Sequence, residues 1–129
     1  MIKIEHIAIW VKDLERMKEF YVKWFDFQSN EKYTNPKKGF SSYFLSQGQE
    51  NCRLELMTRE TELFTASQHD LYGWAHIALS LGSKEKVDSL TKQMEEAGIN
   101  CVGQPRWTGD GYYESVIEDP EGNKIELTV

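Results

Sequence analysis

The chain repeats itself once. His6-Ile7-Ala8 returns as His76-Ile77-Ala78, 70 residues later, and Arg53-Leu54-Glu55-Leu56 returns as Lys124-Ile125-Glu126-Leu127, 71 residues later, the offset that one inserted loop residue produces. In a chain of 129 residues only two such copies fit. Solenoids need about three or more repeats to bury a continuous core. The pattern therefore implies two fused half-domains related by a pseudo-twofold axis, and it excludes two ordinary domains of independent ancestry.

Within each copy the same element order is legible. Ile2 to Val11 alternates as a strand, with His6, Ala8 and Trp10 on one face and Ile7, Ile9 and Val11 on the other. Asp13 offers an N-cap, and Leu14, Met17, Phe20, Tyr21 and Trp24 follow at helical spacing, which makes Trp24 an expected core residue. Strands are predicted over Phe27 to Tyr33, Phe40 to Ser46 and Arg53 to Met57, separated by Asn35-Pro36 and Gln47-Gly48. A connector over residues 58–73 carries a predicted short turn of helix near Glu62 to Ala66, and His69 reads as a surface residue there. The order βαβββ then restarts: a strand over Trp74 to Leu81, a helix capped by Ser83 and ended at Gly98, and strands over Cys101 to Trp107, Tyr112 to Glu118 and Lys124 to Thr128. The expected fold class is α+β, one domain over residues 1–129, with modules at 1–57 and 74–129.

Composition excludes several function classes. Fifteen Lys and Arg against 21 Asp and Glu give a net charge of −6, and the basic residues are scattered, which argues against a phosphate-tracking nucleic-acid surface. No apolar run approaches the ~20 residues of a transmembrane helix, and the charged opening Met1-Ile2-Lys3-Ile4-Glu5-His6 does not resemble a signal peptide. A cytoplasmic protein without membrane or nucleic-acid partners is expected. Cys52 and Cys101 lack Cys-x-x-Cys spacing and have apolar neighbours, so they are expected as buried free thiols.

The repeat also duplicates chemistry. His6 and His76 occupy the first strand of each copy, and Glu55 and Glu126 the last. Ile7, Ile9, Leu54 and Leu56, with Ile77, Leu79, Ile125 and Leu127, would pack under the helices, so alternation sends the histidines and glutamates to the opposite face. Two imidazoles and two carboxylates converging in a cavity would suit Zn, Ni, Mn, Fe or Co better than Ca or Mg. One His or Glu on a strand is ordinarily a solvated residue; their placement at equivalent positions in both copies favours a shared role.

The modules Ile4-Glu5-His6-Ile7-Ala8-Ile9 with Asp13 and Phe20-Tyr21, then Gly73-Trp74-Ala75-His76-Ile77-Ala78, then Glu118-Asp119-Pro120-Glu121-Gly122-Asn123 leading into Ile125-Glu126-Leu127, resemble the vicinal oxygen chelate superfamily. This is the group of glyoxalase I, bleomycin-resistance proteins and extradiol dioxygenases. The resemblance implies paired βαβββ modules in a cupped, incompletely closed mixed β-barrel, commonly as a homodimer. It implies His6, Glu55, His76 and Glu126 as metal ligands, with Glu126 as general base and Glu55 as its symmetry-related partner. Glu at position 55 is closer to glyoxalase I than to the dioxygenases. The implied function is a metal-dependent lyase or isomerase that stabilises an enediolate of a small oxygenated substrate, thiol-conjugated ones included. Metal-free drug binding, epimerase, thiol-transferase and dioxygenase activities are the alternatives on the same scaffold. Trp10 and Arg59 stand where glyoxalase I commonly places an Arg and an Asn that hold glutathione.

Overall fold

The structure is a computed structural model and describes residues 4–49, 51–61 and 72–129. His69, the predicted turn at Glu62 to Ala66 and the first residues of the predicted opening strand lie outside the described residues. The chain divides into two compact units, Met1–Thr65 and Ala66–Val129.

The first unit runs β1 (His6–Trp10), α1 (Leu14–Phe25), β2 (Gln28–Ser29), β3 (Tyr33–Asn35), β4 (Phe40–Ser46) and β5 (Arg53–Arg59). Its sheet has the order β1-β5-β4-β2, with β3 also paired to β4; β1 runs parallel to β5, and the other pairings are antiparallel. The Asp13 carboxylate accepts from the Arg16 N–H and starts the helix. Its apolar stripe of Leu14, Met17, Phe20, Tyr21 and Phe25 is buried, as are Leu45, Leu54 and Leu56 on the sheet. Trp24 is half-buried and not core: the stripe drifts onto Phe25, the better-aligned position four residues after Tyr21.

The strand expected over Phe27 to Tyr33 is two short pieces. Ser29 pairs with Leu45 and Tyr33 with Ser42, so three residues of one strand oppose two of the other, and the surplus residue makes a bulge. Asn30 holds it. Its side-chain oxygen accepts from the Phe44 N–H at 2.8 Å, while its own N–H donates to the Phe44 carbonyl at 3.1 Å.

The second unit runs β6 (Ile77–Ser80), α2 (Lys84–Glu96), β7 (Cys101–Trp107), β8 (Tyr113–Glu118) and β9 (Lys124–Thr128), in the sheet order β6-β9-β8-β7. As in the first unit, the opening strand is parallel to the last, here β6 to β9. Ser83 caps α2, and Gly98 takes the left-handed φ of 86° that ends it. Val87, Thr91 and Met94 are buried, as are Ile117, Ile125 and Leu127 on the sheet. Thr91 is polar on an otherwise apolar stripe because it is satisfied: its hydroxyl donates to the Val87 carbonyl at 2.6 Å and lies 2.7 Å from the Ser115 hydroxyl.

The mixed α+β class and the two open sheets agree with the sequence reading. The cysteines do not: Cys52 is exposed and Cys101 half-buried, because Cys52 precedes β5 on the turn and does not share the inward alternation of Leu54 and Leu56. No helix among the described residues is long and apolar enough to cross a membrane.

Candidate metal-binding half-sites

In each unit the parallel pairing of first and last strand places His beside Glu. Ala8 lies opposite Glu55 in the β1–β5 register, and His6 is two residues back on the same face. The His6 Nε2 stands 3.7 Å from Glu55 Oε1. In the second unit Ala78 lies opposite Glu126, and His76 Nε2 stands 3.2 Å from Glu126 Oε2. His76 immediately precedes β6, one residue short of the expected strand. Both glutamates are more sheltered than their histidines.

The first half-site has a supporting shell. Glu5 hydrogen-bonds His6 Nδ1, and Arg53 Nε donates to Glu5 at 2.9 Å while its guanidinium lies over the Phe44 ring, 4.2 Å from the centroid. Phe44 in turn meets the His6 ring edge-on at 5.2 Å. The hydrogen bonds from His6 and Arg53 hold the Glu5 carboxyl below its ordinary pKa. Glu5 is therefore an acceptor, His6 carries its proton on Nδ1, and in the neutral ring the Nε2 lone pair is aimed toward Glu55.

A lone pair facing a carboxylate oxygen calls for a cation between them. Two donor atoms each bound at about 2.0–2.2 Å in neighbouring positions of a transition-metal shell stand roughly 3.0–3.5 Å apart. The observed 3.2 and 3.7 Å match that spacing closely. Each unit thus presents one imidazole nitrogen and one carboxylate oxygen with metal-like spacing, and this mixed set fits Zn, Ni, Mn or Fe. Among the described residues no group of three or more His, Cys, Asp or Glu forms a complete metal-holding cluster, so each pair is half a shell.

Glu114 is a site-side residue that sequence patterning alone did not single out. Val116 pairs with Glu126 across β8–β9, so Glu114, two residues away, shares that face, and its carboxyl hydrogen-bonds Glu126. Burial, then the Glu126 hydrogen bond and charge, push its pKa up from the ordinary 4.5. Folding therefore favours its protonated form, and the associated stability is present at low pH and lost as pH rises through the raised value. Glu114→Gln cannot ionise. In metal-free protein its melting temperature should match the parent below about pH 4.5 and exceed it increasingly toward neutrality, as linkage requires. Thermal melts across pH 4 to 8 check this, and a gap independent of pH contradicts it.

Residues 3–127 match the Glyoxalase/Bleomycin resistance protein/Dioxygenase superfamily. No curated protein matches the chain. Among solved structures, a glyoxalase family protein from Enterococcus faecalis is 24% identical, with a TM-score of 0.80 over 98% of this chain and 97% of that one. The trypanothione-dependent glyoxalase I of Leishmania major is 25% identical, with a TM-score of 0.79 over 99% of this chain and 86% of that one. Glyoxalase I from Zea mays is 23% identical, with a TM-score of 0.77 over 98% of this chain and 44% of that one. A sequence match of this extent, on a chain whose paired strands repeat the same His and Glu, makes it a member of the glyoxalase/bleomycin-resistance/dioxygenase superfamily.

Proposed function

We propose that the protein is a divalent-metal-dependent lyase or isomerase of the glyoxalase I kind, acting on a small oxygenated substrate, hemithioacetals included. The observation that carries this reading is the duplicated His/Glu pair with donor atoms 3.7 and 3.2 Å apart. His6, Glu55, His76 and Glu126 are the four proposed protein donors to one Zn, Ni, Mn or Fe ion, the two halves drawn from one chain or from two chains of a homodimer.

Such an ion supplies Lewis acidity toward two neighbouring substrate oxygens. The protein does the rest. Glu126 removes the proton from the carbon next to the polarised carbonyl and returns it to the adjacent carbon, which is the net isomerisation. Glu114 faces Glu126 and hydrogen-bonds it, so its protonated carboxyl stabilises the Glu126 carboxylate until substrate arrives. On the first unit, Glu5 and Arg53 keep the His6 ring turned with Nε2 outward.

Elemental analysis of untagged protein tests the reading. About one transition-metal ion per chain is expected, the stoichiometry of four protein donors to one ion, and His76→Ala should lose it while keeping the parent's circular dichroism. Absence of bound metal after reconstitution with each of Zn, Ni, Mn and Fe would overturn the enzyme reading and leave metal-free ligand binding as the function to pursue.

A further inference from the structure

The outward face of the first sheet carries a second cluster, at the other end of β1 and β5 from His6 and Glu55. Arg59 ends β5, and its guanidinium lies over the Trp10 indole, 4.8 Å from the ring centroid. Trp10 meets the Phe40 ring edge-on at 6.2 Å, and Phe40 meets Tyr33 at 6.1 Å. Phe40 is the register partner of Arg59 across β4–β5. Trp10 keeps 45% and Tyr33 54% of their surface exposed. Beside them Arg59, Phe40, Thr34, Asn35 and Gly39 line a shallow groove of about 350 Å³.

The charge of Arg59 is not neutralised. Among the described residues no carboxylate comes within the 4.0 Å of an ion pair with it. Glu60, its neighbour in sequence, lays its carboxyl group against Gly39, where a Cβ would come within 3.0 Å of it. By contrast Arg53, on the same strand, is tied to Glu5. In a chain with net charge −6, a guanidinium held over an exposed indole without a counter-ion is a pre-positioned anion receptor: stacking fixes its plane, and the fork accepts a carboxylate in two parallel hydrogen bonds.

We propose that Arg59, Trp10 and Phe40 form a binding subsite for a flat, unsaturated or aromatic monocarboxylate. The aromatic edges and the exposed indole face match a planar body, which slides over them with little loss of freedom. A single guanidinium with no second cation beside it matches one negative charge rather than the two of a phosphate ester. Between this subsite and the His6/Glu55 pair, the same face presents Ala8, Met57 and Ser42, whose side chains add no charge. Four residues of strand separate Trp10 from His6, about 13 Å between their Cα atoms. A ligand anchored at Arg59 thus extends its other end toward His6 and Glu55. Binding at Arg59 needs no metal; only the statement that this acid is the substrate rests on the proposed function.

The test uses the full chain treated with chelator, with trans-cinnamate as the probe and cinnamamide, its uncharged counterpart, as the control. Binding is read from the Arg59 Nε–H and Trp10 Nε1–H resonances. Cinnamate should shift both, bind at least about tenfold more tightly than cinnamamide, and lose about tenfold or more in Arg59→Gln, magnitudes expected for one charge-assisted bidentate pair. Arg59→Lys, which keeps charge but not the fork, should fall between parent and Gln, and Trp10→Leu should weaken both probes. Equal affinity for acid and amide, unchanged affinity in Arg59→Gln, no binding of cinnamate, or shifts confined to residues remote from Arg59 and Trp10 would each overturn the subsite. Cinnamate binding by a chain that takes up no metal would leave the subsite standing and remove the proposed enzyme function.

Discussion

Replacing Glu126 with Gln is expected to lower kcat on a hemithioacetal substrate by about two to four orders of magnitude while KM changes less than about threefold, the range for loss of a positioned general base. Gln preserves the length of the side chain and an oxygen donor, so the metal stays and the substrate still finds its oxygens polarised. What disappears is the basic carboxylate that takes the proton. Metal content measured on the same preparation separates this from simple loss of the ion. Equal losses in kcat and in metal occupancy would reassign Glu126 as a ligand only. Glu55→Gln is the internal comparison, because it alters the same element in the other unit, 3.7 Å from its own histidine. A smaller kcat effect there places the proton transfer at Glu126, where Glu114 lies alongside.

That asymmetry marks the boundary of what the sequence displays. The two half-sites were legible because they repeat: His6 with His76 and Glu55 with Glu126 share register positions in parallel strand pairs, and alternation alone turns all four away from the helices. The helices were legible through Asp13, Ser83 and their apolar periods. The partners of the half-sites were not, because they do not repeat. Glu5 precedes His6, whereas Ala75 precedes His76, and Ser42 on β4 stands where β8 has Glu114, each two residues from the partner of the ligand glutamate. Finding Glu114 requires the β8–β9 register, which is set by the turn that joins them and not by any local pattern. Likewise the bulge at Asn30 depends on a hydrogen bond to Phe44, fourteen residues away, and no periodicity in Phe27 to Tyr33 announces it. The stacking of Arg59 on Trp10 joins two strands far apart in sequence, so each residue separately reads as an exposed edge position.

The turn that fixes this register carries the largest expected effect on stability. Asp119 is 5% exposed, and its carboxylate accepts from the Glu121 N–H at 2.9 Å, the Asn123 N–H at 3.0 Å and the Asn123 side-chain amide at 2.8 Å. Pro120 follows it, and Gly122 supplies the φ of 84° that brings the chain back, with Asp119 and Asn123 also paired through their backbones at 2.9 Å. Asp119→Ala removes one acceptor and strands three donors in a sheltered turn, which should cost about 2–4 kcal/mol, since leaving buried polar groups unmade is more expensive than the net value of the bonds. For a domain of this size that corresponds to a fall in melting temperature of roughly 8–15 °C. Asp119→Asn keeps the shape and one acceptor oxygen and should lose less than half as much. The consequence reaches the site, because Glu118 pairs with Lys124 immediately outside this turn and Val116 with Glu126 two residues further in. A loosened turn lets Glu126 drift from both Glu114 and His76. Asp119→Ala is therefore expected to weaken metal retention as well as lower the melting point, whereas a stability loss with unchanged metal affinity would show that β9 holds its register through the sheet alone.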